Sequence, residues 1–200
     1  DVLLPTIHAL DGFILGHSVE RLELLPDEAV RDFIGTYTPA YPLLDVEHPV
    51  NYGPMDLQDY FFEHKRQQAE GMVNALDVVA QVSAEYGELS GRPHGLLEEY
   101  KMDDADYVAV LLGSTVGTAK TAVDELRQRG VKAGVLKVRC FRPFPAEAVA
   151  KALGGRKAIA VLDRSISFGA QVNPLCLEVI SALFTHGYAP RVVNFVYGMG

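Results

Sequence analysis

The sequence predicts an α/β fold with a mainly parallel, open sheet flanked by helices. Three observations carry this. Residues 106–138 read as strand, glycine loop, helix and strand, which is one βαβ unit. After it the pattern repeats as helix, strand, helix, strand up to residue 196, with glycine or proline at most junctions. The two apolar runs around the first crossover are short and continuous, as strands buried on both faces require.

From the amino terminus, residues 2–15 look like two short buried strands around the Asp11-Gly12 turn, with Pro5 at an edge or bulge. Pro26, Pro39, Pro42, Pro49 and Pro54, interleaved with Tyr37, Tyr41 and Tyr52, then mark an ordered surface connector. Asp56 is placed to cap a long helix running to about Tyr86. Its apolar positions Leu57, Phe61, Met72, Leu76, Val79 and Tyr86 fall at three- and four-residue steps, and Gly87 is expected to end it. Gly91, Pro93 and Gly95 form a loop before a compact α/β unit that begins near Tyr100.

Within that unit, residues 106–112 are the first strand and residues 113–118 a tight loop. Residues 119–129 carry Ala119, Val123 and Leu126 at helical spacing, and Gly130 stops them. Residues 131–138 form the next strand. It runs into Arg139-Cys-Phe-Arg-Pro-Phe-Pro145, where Pro145 can begin a helix over residues 146–153. A strand at 158–162, a helix at about 172–185 and a last strand at 191–196 complete the order.

Bulk properties narrow the function. The chain has 200 residues, 48% hydrophobic and 22% charged, which are globular proportions. A net charge of −8 argues against nucleic acid or an anionic membrane as partner. No apolar run approaches the roughly 18 residues of a membrane span, and no signal peptide is visible, so a cytoplasmic protein is expected. Cys140 and Cys176 are far apart and are expected to be reduced, buried thiols. The hydrophobic opening Asp1-Val-Leu-Leu and the closing Tyr197-Gly-Met-Gly200 suggest an internal piece of a longer polypeptide.

Candidate site residues gather at strand ends. The loop Gly113-Ser-Thr-Val-Gly-Thr118 sits where an α/β sheet takes its ligands, and could hold an anion. It lacks the third glycine of a dinucleotide fingerprint, and Lys120 lies too late for a P-loop, so a packing turn is the plainer reading. Arg139 and Arg142 could clamp a carboxylate from a neighbouring domain or subunit, or simply form a surface corner over Phe141 and Phe144. Asp163 and Arg164, opening Asp163-Arg-Ser-Ile-Ser-Phe-Gly169, could make a similar contact. In that loop Ser165 and Ser167 could cap the following helix. The six histidines form no metal set and no HExxH, and Glu98, Glu99, Asp103, Asp104 and Asp106 read as a solvated charge run. No nucleophile, acid–base or metal constellation emerges, so catalytic, cofactor-binding and metal residues are assigned to none.

Several separated stretches together carry a family resemblance: Leu10-Asp-Gly-Phe-Ile-Leu-Gly-His-Ser18, Gly113-Ser with Gly117-Thr, Lys137-Val-Arg-Cys-Phe-Arg-Pro-Phe-Pro145, Val161-Leu-Asp-Arg-Ser-Ile-Ser-Phe-Gly169 and Tyr197-Gly-Met-Gly200. They resemble the alpha subunit of pyruvate:ferredoxin oxidoreductase and related 2-oxoacid:ferredoxin oxidoreductases, over essentially the whole chain. The resemblance implies that residues 1–49 end a pyrimidine-type thiamine-diphosphate domain and its connector. Residues 50–99 would be a linking helix and loop, and residues 100–200 a transketolase-C-like domain. It also implies oxidative decarboxylation of a 2-oxoacid on thiamine diphosphate. Mg and [4Fe-4S] clusters would be bound mainly outside this segment, and electrons would pass to ferredoxin. Implied partners are other subunits, ferredoxin, the 2-oxoacid and, for pyruvate-using members, coenzyme A.

The family's activating glutamate, its substrate-contacting Thr and Arg, its GDG motif and its cluster-binding CxxC sets find no counterpart here. Leu15-Gly-His-Ser18 also departs from the Leu-Ser-His-Thr of pyruvate-type members, which leaves room for another 2-oxoacid, including oxalate. Two alternatives stay open: a transketolase-like or 2-oxoacid dehydrogenase C-terminal domain, and a non-catalytic anion-binding α/β module.

Overall fold

The computed structural model describes residues 2–198. They divide into two compact units, residues 19–71 and the remainder. In the first, α1 (Asp27–Ile34) stands in the proline-rich connector, with Asp27 and Glu28 in its first turn, where acidic groups favour the helix dipole. The long helix α2 (Phe61–Ser90) starts later and ends later than its spacing suggested. Asp56 does not cap it, because its carboxylate pairs with His64 Nδ1 at 2.7 Å. Gly87 remains helical and admits the close approach of the Arg92 carbonyl. The stop comes at Gly91, whose φ of +66° no longer fits a right-handed helix.

The second unit holds a five-stranded sheet in the order β1-β3-β2-β4-β5. Its strands are β1 (Leu97–Tyr100), β2 (Tyr107–Leu111), β3 (Ala133–Val138), β4 (Ala158–Asp163) and β5 (Arg191–Val196). All pairings are parallel except β1 with β3, which is antiparallel. The helices are α3 (Thr115–Gln128), α4 (Ala146–Leu153) and α5 (Pro174–Thr185). One face packs Val108, Val110, Leu136, Val138, Ile159 and Val161 under Val149 and Leu153 of α4 and Leu175, Val179 and Leu183 of α5. The other packs Leu111, Ala133 and Val135 under Val116 and Val123 of α3. Each fully buried Val or Leu here contributes about 1.5–3 kcal/mol.

Two further expectations are corrected. Residues 2–15 form no strand. Their apolar alternation finds no neighbouring strand to pair with among the described residues, and Ile7, Leu10 and Phe13 stay exposed. The acidic run is not wholly solvated either. Its first two carboxylates lie on strand β1, where Glu98 stands opposite Lys137 and only Glu99 faces water.

Candidate functional site at the carboxyl end of the sheet

The chain leaves β2 for β3 on one side and leaves β4 for β5 on the other. The carboxyl ends of β2 and β4 therefore flank the switch point where open α/β sheets place ligands. After β2 comes Gly113 with φ +70°, then Ser114 at the head of α3. Gly117 falls inside α3, so the loop is shorter than its GxxxG spacing implied. The α3 end is already supplied with an anion: Ser114 N–H donates to Asp11 Oδ2 at 2.6 Å. Arg164, just beyond β4, donates to Asp11 Oδ1 at 3.2 Å. Hydrogen bonding from Ser114 holds Asp11 below the usual carboxylate range, with further help from Arg164 and Lys137. A Cβ on Gly113 would stand 2.9 Å from Asp11 Oδ2, so glycine there serves close approach as well as backbone conformation.

The four residues singled out from sequence lie along this edge but do not form one site. Arg139, after β3, donates to Glu98 at 2.5 Å and to the Pro93 carbonyl at 3.1 Å. Lys120 of α3 pairs with the same carboxylate, and Lys137 stands 4.0 Å from it. Burial alone would raise Glu98, but the Lys120 hydrogen bond and the Arg139 charge outweigh it and hold its carboxyl below the usual range. Arg142 lies over the Phe141 ring and pairs with Glu178 of α5 at 2.5 Å.

Asp163 turns inward and is only 4% exposed. It accepts from Leu175 N–H at 2.8 Å, Cys176 N–H at 3.2 Å and Asn194 Nδ2 at 2.9 Å. It thereby satisfies the first turn of α5, a task the sequence reading gave to Ser165 and Ser167. Its carboxylate is spent inside the fold, because a carboxylate buried at a helix start must take the orphan N–H groups. Burial, and secondarily Asp163, pushes the Cys176 thiol up to about 11, and burial also raises Cys140. Asp11 and Glu98 were missed as site residues. The Asp11 contacts span 103 and 153 residues of sequence, and no local pattern announces them.

Comparison with known proteins fits this architecture. Residues 1–84 match the thiamine-diphosphate-binding family of pyruvate flavodoxin/ferredoxin oxidoreductase, and residues 105–200 match pyruvate:ferredoxin oxidoreductase core domain II. Among individual relatives, pyruvate synthase subunit PorA of Thermotoga maritima is 52% identical over 200 residues, all of this chain and 51% of the relative. Ketoisovalerate oxidoreductase subunit VorA of Pyrococcus abyssi is 38% identical over all of this chain and 50% of its own. The alpha subunit of NADH-dependent phenylglyoxylate dehydrogenase of Aromatoleum evansii is likewise 38% identical, over all of this chain and 50% of its own. The chain thus spans about half the length of the curated relatives it matches. With two of the family's domains matched in sequence order, the chain belongs to the 2-oxoacid:ferredoxin oxidoreductase family, within its alpha-type subunits.

Proposed function

We propose that this chain is part of the alpha subunit of a thiamine-diphosphate-dependent enzyme that oxidatively decarboxylates pyruvate or a related 2-oxoacid and passes the electrons to ferredoxin. The observation that carries the reading is the match to two domains of that family, in order, across 1–84 and 105–200. When bound, thiamine diphosphate supplies the ylid that attacks the keto carbon and the ring that accepts the electrons left by CO₂. Among the described residues no group of three or more His, Cys, Asp or Glu side chains could hold a metal ion. Mg and the [4Fe-4S] clusters are proposed to lie mainly outside this segment, whose two cysteines are fewer than the four thiolates that a cluster takes.

What these residues do is hold and present surfaces. In the sheet unit, Asp11, Glu98, Asp163 and Glu178 fix the loops after β2, β3 and β4. Large apolar side chains stand free: Phe168 is 91% exposed and Phe184 83%. A groove of about 230 Å³ also runs over Ala109, Ala158, Ala160, Val193 and Phe195 on the sheet face away from α4 and α5. Parallel sheets are normally covered on both faces, so an apolar groove open on one of them suits a neighbouring domain. Both features support a part that is packed among other domains and subunits, in a complex proposed to be cytoplasmic. Arg139 and Arg142, whose side chains stay 28% and 53% exposed beside their partners, are the side chains proposed to reach a neighbour, with coenzyme A as acyl acceptor where pyruvate is the substrate.

The test is turnover by the purified complex containing this chain. Viologen or ferredoxin reduction is followed with pyruvate, 2-oxoisovalerate, phenylglyoxylate and oxalate in turn, with and without coenzyme A. Thiamine-dependent reduction with at least one 2-oxoacid is expected, and its absence with all of them sinks the reading. The winning substrate assigns the class that Leu15-Gly-His-Ser18 leaves open.

A further inference from the structure

The switch-point crevice has the parts of an anion site: an N–H at the start of a fourteen-residue helix and a guanidinium across from it. The anion is the chain's own. The Asp11 side chain is 18% exposed, and its two oxygens are divided between Ser114 and Arg164. Two glycines make room. Gly113 lets the carboxylate in, and Gly198, at φ +71°, lies where a Cβ would stand 3.0 Å from Arg164 Nε.

Asp11 opens a turn, residues 12–18, that also makes contacts within itself. Within the turn, His17 N–H donates to the Phe13 carbonyl at 3.0 Å, and the Phe13 and His17 rings stand 5.0 Å apart. Yet Phe13 is 71% exposed and Leu15 50%, so burial does not fasten it to the sheet. A charge-assisted hydrogen bond to a helix start, backed by a guanidinium, is strong enough to do so.

We propose that Asp11 is a positioning residue: its carboxylate is the resident anion of the switch-point crevice, and this clamp sets the place of the Gly12–Ser18 turn, which carries Leu15-Gly-His-Ser18. The crevice is thus a site for one small carboxylate, filled from within, and soluble phosphates do not compete for it. The proposal does not depend on which reaction the complex performs.

Hydrogen exchange on the intact complex tests it, with wild type, Asp11→Ala, Asp11→Asn and Arg164→Gln. Asp11→Ala is expected to speed exchange of the amides from Gly12 to Ser18 by on the order of tenfold or more, the equivalent of one charge-assisted bond, with strand β2 unchanged. Asp11→Asn and Arg164→Gln fall between. In Asp11→Ala, added formate is expected to protect the Ser114 amide again, where chloride at equal ionic strength does not. The turn stays fast, because its tether is cut. Turn exchange within twofold of wild type in the variants that assemble, or no protection of Ser114 by formate, overturns the proposal. If Asp11→Ala does not assemble, Arg164→Gln and Asp11→Asn decide it by the same turn readout.

Discussion

Replacing Asp163 with alanine is the sharpest test of how this fold is held. The carboxylate is 4% exposed and takes the Leu175 and Cys176 N–H groups at 2.8 and 3.2 Å. Asn194 Nδ2, at 2.9 Å, keeps the Val161 carbonyl as acceptor for one of its two hydrogens and is only partly stranded by the change. Two backbone donors at the start of α5 therefore lose their acceptor in a dry setting. At about 1–3 kcal/mol per stranded donor the loss is about 2–6 kcal/mol, and water entering the emptied space brings it toward 3–4. For a chain of this size about 1 kcal/mol moves the melting midpoint by roughly 2–4 °C, so Asp163→Ala is expected to melt about 10 °C lower. Asp163→Asn keeps one acceptor oxygen but turns an NH₂ group toward donors, and lands between. Thermal unfolding followed by circular dichroism reads all three. A fall under about 3 °C for Asp163→Ala refutes the reasoning, because it would mean that α5 finds its cap elsewhere.

Other outcomes follow from single contacts. Gly154→Ala would put a Cβ 2.5–2.7 Å from the Tyr188 ring and is expected to cost about 1–3 kcal/mol. Gly117→Ala, in α3 with nothing within 4 Å, is expected to gain about 0.5–1 kcal/mol, so denaturant midpoints should move in opposite directions. Because Glu98 is depressed from 4.5 in the folded state, its ion pairs stabilise fully above that value and are lost as pH falls through the folded pKa. Glu98→Gln should therefore flatten the stability-versus-pH curve on the acid side of 4.5 and leave its slope unchanged near neutrality. With both thiols raised, Cys140 and Cys176 should resist iodoacetamide at about pH 8 in the native protein and label in denaturant, by mass spectrometry.

The α/β unit was legible because its signals are local. An apolar run, a glycine and an amphipathic stretch lie within a few residues of each other, and β2, β3, α4, β4, α5 and β5 appear within two residues of the expected positions at each end, while α3 starts four residues early. What escaped was non-local. Strand β1 is four residues, Leu-Glu-Glu-Tyr, that read as part of a charge run until Lys137 of β3 is set opposite Glu98. Residues 2–15 have the alternation of strands, but a strand exists only where another pairs with it. Three of the four candidate residues, Arg139, Arg142 and Arg164, were visible as guanidinium groups at strand ends. Their partners Glu98, Glu178 and Asp11 were not, because an ion pair between distant segments leaves no mark in either.

Those partners change what the edge can do. At Glu98, Lys120, Lys137 and Arg139 surround a single carboxylate, three cations to one anion, in a chain whose net charge is −8. Asp11 returns one negative charge beside Lys137 and Arg164. The local sum over these groups stays positive, and their side chains are between 18% and 41% exposed. Isolated pairs at such exposure are worth about 0–1 kcal/mol each, so their stability contribution alone does not explain the cluster. Its geometry explains more. Each anion comes from a different segment and meets cations standing on strand ends or on α3. The edge where a sheet of this kind usually receives a ligand is used instead to fasten pieces of polypeptide to one another. The positive excess that remains is suited to an acidic surface and does not suit a basic one. That is the arrangement expected of a domain that serves as a scaffold, the role proposed above for this chain.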